Sequence, residues 1–126
     1  MASPDDRRYS ETHEWHRLDG DIVTIGLTQF AIDQLTDVTF VEMKPPGETI
    51  GAGEPVGEVE SVKTTSDVYC AAPGEIVEVN GAAVEDPSLL NRDPYGDGWL
   101  IRLRTTDPGA VDSLMSASDY DAQHAD

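Results

Sequence analysis

The stretch GEVESVKTTSDVY (57–69) holds two short runs of alternating polar and apolar residues that meet around Lys63. Such a pattern reads as a hairpin with Lys63 at its tip. Glu58 and Glu60 lead into the tip, and Thr64, Thr65, Ser66 and Asp67 lead out, so the tip is polar and solvated. The chain's only other lysine is Lys44, set against 25 acidic residues. An activated Schiff-base lysine requires a desolvated pocket or a neighbouring cation, and this tip offers neither. A covalent attachment point requires the opposite, an amine held out on a rigid turn, from which an attached group sweeps around a fixed root. Most surface lysines do nothing specific. Lys63 stands apart because the chain avoids lysine almost everywhere else.

Outward from this hairpin, the pattern is of short strands cut by glycine and proline turns. DIVTI (21–25) alternates, with Val23 and Ile25 on one face. TQFAIDQL (28–35) has helical spacing with Thr28 as N-cap. VTFVEM (38–43) is a strand ended by Pro45-Pro46-Gly47. Further strands are read at 55–61, 66–71 and 74–79, a helical turn at 87–91, and a loop at 93–98. WLIRLR (99–104) is read as a strand with Trp99, Ile101 and Leu103 inward, and 107–115 as a closing helix with Asp107 as N-cap and Pro108 at its first position. Residues 20–25 and 74–79 share the pattern glycine, acid, Ile-Val, any residue, Ile or Val, which suggests two related halves packed face to face.

The length of 126 residues fits a single domain, 1–126, with loose termini expected at 1–8 and 121–126. A hydrophobic share of 38% is globular. The formal charge of −17 disfavours nucleic acid and anionic membrane surfaces as partners. Acid spread along the chain with almost no lysine suits concentrated salt, where self-repulsion is screened, so a halophilic and cytoplasmic origin is expected. Cys70 is the only cysteine, excluding an intrachain disulfide, and shares a face with Val68 as a small core residue. No signal peptide or membrane span is read. In a strand His13 and His16 would face opposite ways, so His13-Glu14-Trp15-His16 does not read as a metal site. No nucleophile-elbow glycines surround Ser61.

Glu60-Ser61-Val62-Lys63, followed by Ser66-Asp67-Val68-Tyr69, resembles the lipoylation hairpin of the glycine cleavage system H protein family. Tyr9 with His13-Glu14-Trp15, GLTQFAIDQL, Phe40-Val41-Glu42, GEIVEVN and NRDPYGDGWLIR resemble the same family in order and spacing, covering roughly Tyr9 to Tyr120. The resemblance implies a mainly β fold, a barrel-sandwich hybrid of two small antiparallel sheets with a few short helices, one of them C-terminal. It also implies lipoate in amide linkage to Lys63, and a cleft for the loaded arm at Thr12, Glu14 and Asp67. Of the last two, the alternation itself points Trp15 to the core, leaving the Glu14 carboxylate toward solvent or cleft, and sets Asp67 on the face of Tyr69.

By the same resemblance the chain is no enzyme but a carrier, expected to be a monomer. It would take an aminomethyl group from glycine decarboxylase, a pyridoxal-phosphate enzyme, to the aminomethyltransferase, and electrons to dihydrolipoyl dehydrogenase, after modification by a lipoate-attaching enzyme. Biotin carriers usually flank their lysine with methionines, and 2-oxoacid dehydrogenase lipoyl domains usually place aspartate before it; neither pattern is present. The alternatives are a lipoate relay protein and an unmodified acidic interaction module of the same fold.

Overall fold

The computed structural model describes residues 3–123. In chain order the elements are β1 (Arg8–Tyr9), β2 (Glu14–Asp19), β3 (Ile22–Leu27), α1 (Gln29–Leu35), β4 (Val38–Met43), β5 (Thr49–Ile50) and β6 (Pro55–Ser61). There follow β7 (Thr65–Tyr69), β8 (Gly74–Val79), α2 (Gly81–Glu85), α3 (Leu89–Arg92), β9 (Ile101–Thr105), α4 (Gly109–Asp112) and α5 (Ala117–Gln123). They form two antiparallel sheets, six-stranded β1-β2-β3-β9-β8-β5 and three-stranded β4-β6-β7, which do not close into a barrel.

Alternation decides which side chains fill the space between them. From the larger sheet Val23, Ile25, Ile76, Ile101 and Leu103 are buried, and from the smaller Val41, Val56, Val59 and Val68. With Ile32 and Leu35 of α1 they make one continuous apolar cluster. Thr28 caps α1 as its spacing predicts, its hydroxyl accepting from Ala31 N at 3.2 Å. Cys70 is wholly buried in the cluster, and burial pushes its thiol up to about 12. A second cluster gathers Tyr9, Trp15, Ala117 and Tyr120. Trp15 lies directly across from Gly26, where a β-carbon would come within 2.6 Å of the indole. Glycine there is what lets the ring lie flat on the sheet.

The two echoing segments do not lie in opposed halves. Both β3 and β8 pair with β9, one on each side, in the same sheet. Thr24 and Glu78 both face Arg102, and Ile25 and Val79 both face Ile101. A bulge between Ile76 and Glu78 shifts the rest of the register by one residue. The repeat is therefore of two strands that serve one common partner.

Three local readings change. Trp99 is half-buried rather than inward, with the Arg102 guanidinium 4.1 Å above its ring, and Leu100 takes the core position. The helix read over 107–115 stops at Asp112, because Met115 is drawn into a backbone bridge with Tyr9, N to O at 2.9 and 3.0 Å. Pro108, not Asp107, occupies its N-cap, and the C-terminal helix is α5. Of the termini read as loose, residues 1–2 and 124–126 lie outside the described residues. Ser3 donates to Asp121 from both its N–H and its hydroxyl, and Arg8 belongs to β1.

Candidate functional site

The hairpin β6–β7 closes through a tight turn, with Val62 and Lys63 at its apex. Ser61 N donates to Thr64 O at 2.8 Å. The return contact is made by the Ser61 hydroxyl, which accepts from Lys63 N and Thr64 N, each at 3.1 Å, where a backbone carbonyl would ordinarily serve. Val62 N donates to Asp37 O at 3.1 Å, tying the apex to the start of β4. The turn is thus rigid while its side chains stand out: Lys63 is exposed and Val62 is 67% exposed. Among the described residues Lys63 enters no ion pair.

Beside the turn lies a surface cleft of about 570 Å³. Thr12, His13 and Glu14 make one wall, and Phe30, Ala31, Gln34 and Leu35 of α1 make the other, with Lys63 to Ser66 along the rim. An exposed amine therefore stands at the edge of a cleft with an apolar wall facing a polar one.

The polar wall is built around Glu14, which is only 1% exposed. Of the two directions that alternation left open, solvent or cleft, the carboxylate takes the cleft. The Ser10 hydroxyl donates to Glu14 Oε1 at 2.7 Å, the Thr12 hydroxyl donates to the same oxygen, and Tyr69 N donates to Oε2 at 3.2 Å. Burial pushes the Glu14 carboxyl above its ordinary range, outweighing the hydrogen bonds from Thr12, Ser10 and Tyr69 N that favour the charged form. The carboxylate also lines a second cavity, of about 340 Å³, with Ser10, Thr12, Gly53, Tyr69 and Ala71.

Two positions along β2 from Glu14, His16 is wholly buried, and its Nε2 accepts from Ala71 N at 3.1 Å. Alternate side chains of β2 thus receive alternate backbone N–H groups of β7 and its continuation. The two sheets meet along a seam of side-chain acceptors in place of a backbone ladder. Nε2 as acceptor places the neutral ring's proton on Nδ1, which has no partner among the described residues. Desolvation lowers the His16 pKa to about 4.

The expected site residues are only partly brought together. Lys63, Thr12 and Glu14 share the cleft. Asp67 does not line it, lying instead in a groove with Glu42, Met43, Lys44, Pro45, Pro55, Gly57 and Glu58. Its link to the Glu14 side runs through Tyr69, whose hydroxyl donates to Asp67 Oδ2 at 3.4 Å. His13 does not belong to a strand but precedes β2 in the left-handed region at φ 72°. Ser10, which holds Glu14, was not singled out in the sequence, and Ser61, named there only within the hairpin motif, closes the turn with its hydroxyl. The Ser-x-Thr-x-Glu spacing of 10–14 was the available signal for the first. Among the described residues no group of three or more His, Cys, Asp or Glu could hold a metal ion, and no helix is long and apolar enough to cross a membrane.

Comparison with known proteins adds the following. Residues 7–126 match the family model of the glycine cleavage H-protein. The chain is 49% identical over 119 residues to the glycine cleavage system H protein of Symbiobacterium thermophilum, covering 94% of this chain and 93% of that one. It is 49% identical over 120 residues to the one of Thermus thermophilus, covering 95% and 94%. The crystal structure of a glycine cleavage system H protein from Mycobacterium marinum superimposes with a TM-score of 0.89 at 46% identity, covering 97% of this chain and 98% of that one.

Proposed function

The chain belongs to the glycine cleavage H-protein family, and from that premise we propose that it is the lipoyl carrier of the glycine cleavage system, modified at Lys63. The observation that carries the reading is the exposed Lys63 amine on a turn tied at Ser61 and Asp37, at the rim of the cleft. A bound lipoyl group would supply a dithiolane that accepts the aminomethyl cargo and electrons. The residues of this chain do the rest. The turn holds the amine where an attaching enzyme reaches it. The α1 wall offers apolar contact to an aliphatic arm, and Glu14 offers a negative charge to a cationic cargo. Thr12 steadies that carboxylate, and Asp67 acts more weakly, through Tyr69. Enclosure at the cleft keeps water from a hydrolysable bond.

In this reading the whole chain is one carrier domain, monomeric and cytoplasmic. It delivers cargo from glycine decarboxylase to the aminomethyltransferase, and is reoxidised by dihydrolipoyl dehydrogenase, the potentials of the two couples setting the direction. The test is intact mass after incubation with a lipoate-attaching enzyme and lipoate, for the wild type and Lys63→Arg. One lipoyl increment is expected on the wild type and none on Lys63→Arg, whose guanidinium keeps charge but is not acylated. Absence of any increment on the wild type would leave the unmodified interaction module. A modified protein inactive in a reconstituted glycine cleavage assay would point to the relay.

A further inference from the structure

The two walls of the cleft come from different parts of the chain, and one hydroxyl touches the support of both. Tyr120 Oη lies 2.8 Å from His13 Nδ1 and 2.8 Å from Thr28 Oγ1. His13 sits between Thr12 and Glu14 on the polar wall. Thr28 is the N-cap of α1, which forms the apolar wall. The backbone adds a parallel tie, Thr28 N donating to His13 O at 3.1 Å, and the His13 ring meets the Phe30 ring across the cleft at 4.6 Å between centroids.

Tyr120 is suited to this position. Its side chain is anchored independently of its oxygen: the residue is 2% exposed, and its ring stacks on Tyr9 at 4.9 Å and 19°. Tyr9 is in turn held by its backbone bridge to Met115. The hydroxyl therefore has a fixed location set by α5. A phenol donates one hydrogen and accepts others, so it can bridge a ring nitrogen and a second hydroxyl at once. Phenylalanine would pack in the same place and bridge nothing.

We propose that Tyr120 is a positioning residue, fixing from α5 the spacing between the Thr12–Glu14 wall and the α1 wall. That gap is where the loaded arm rests, so this assignment rests on the reading of the cleft given above. Tyr120 touches no cargo atom and acts through His13 and Thr28.

Tyr120→Phe tests it with two readouts. In the unmodified protein, amide exchange at Thr28 and Ile32 is expected to quicken severalfold, while Ile76 and Leu103 in the central sheet stay at the wild-type rate. Equal quickening at all four would mean a merely structural role and overturn the proposal. In the aminomethyl-loaded protein, ammonia release without the aminomethyltransferase, well below the melting temperature, is expected to rise about three- to tenfold, the scale of one hydrogen bond. Glu14→Gln is measured alongside. Faster release from Glu14→Gln but not from Tyr120→Phe overturns the brace and leaves the cleft reading standing. Wild-type release from both variants removes the cleft reading and this proposal with it. Thr28→Ser, which keeps both the bridge and the cap on Ala31 N, should match the wild type; should Tyr120→Phe fail to fold, Thr28→Val takes its place and is read by ammonia release alone, since loss of the cap by itself quickens exchange in α1.

Discussion

The carboxylate of Glu14 is held by Ser10, Thr12 and Tyr69 N, yet burial leaves its pKa above the ordinary value of 4.5. A raised pKa means that the folded state holds the proton more tightly than the unfolded chain. Stability from this group is full below pH 4.5 and is lost as pH rises through the folded value. At neutral pH the charge is a cost to the fold, as the binding role proposed for it would require. Glu14→Gln should therefore melt higher than the wild type at pH 7 and converge with it in acid, while releasing cargo faster. His16 works in the opposite sense. Its pKa is lowered from 6.5 to about 4, so its contribution is full above pH 6.5 and falls away as pH drops toward 4. At 1.36 kcal/mol per unit that loss approaches about 3 kcal/mol. Between pH 6.5 and pH 4 the unfolding free energy of the wild type, from denaturant titrations, should fall by about 3 kcal/mol more than that of His16→Gln. Neither burial was legible in the sequence. Alternation gives the direction of Glu14 relative to Trp15, but not that an edge strand 55 residues further on would close over it. The place of Lys63 at a hairpin tip, by contrast, was legible because two alternating runs meet there.

At the level of elements, the hairpin is the part most readily tested. Ser61 replaces a turn carbonyl with its hydroxyl, satisfying Lys63 N and Thr64 N together. Ser61→Ala should cost about 0.5–1 kcal/mol in a thermal melt, comparable to loss of an exposed helix cap. It should also slow attachment at Lys63, followed as the rate of the mass increment at limiting attaching enzyme. An unchanged attachment rate would show that turn rigidity is not what the attaching enzyme reads. The strands were legible because alternation and glycine punctuation agree along most of the chain. The helix read over 107–115 was not, since Met115 gains backbone bonds to Tyr9 that local spacing cannot foresee. The short α2 was missed because five residues hold too little periodicity to register.

For the whole molecule, negative charge is what the fold leaves least compensated. Among the described residues the ion pairs are Arg7–Asp6, Arg92–Asp86, Arg102–Glu78 and Arg104–Asp21, few against a net charge of −17. At 0.01 M salt the Debye length is about 30 Å, so carboxylates on opposite sides of the protein repel one another. The melting temperature should fall by several degrees from molar to millimolar potassium chloride. A flat profile would separate the acid surface from any role in stability. The two-sheet architecture was legible only once the family resemblance was added to the alternation; the echo of β3 and β8 by itself pointed to the wrong arrangement, because parallel service to one strand and face-to-face packing leave the same pattern. The bridge between Tyr9 and Met115 also joins the two ends of the fold. The hairpin around Lys63 closes over a few residues, whereas β1 is completed only when a segment 106 positions away in the chain arrives. Local closure is fast and distant closure slow. The turn at Lys63 is therefore expected to form ahead of the Tyr9–Met115 bridge, so that Ser61→Ala should slow folding while a substitution that weakens the bridge should mainly speed unfolding, as stopped-flow measurements of both would show.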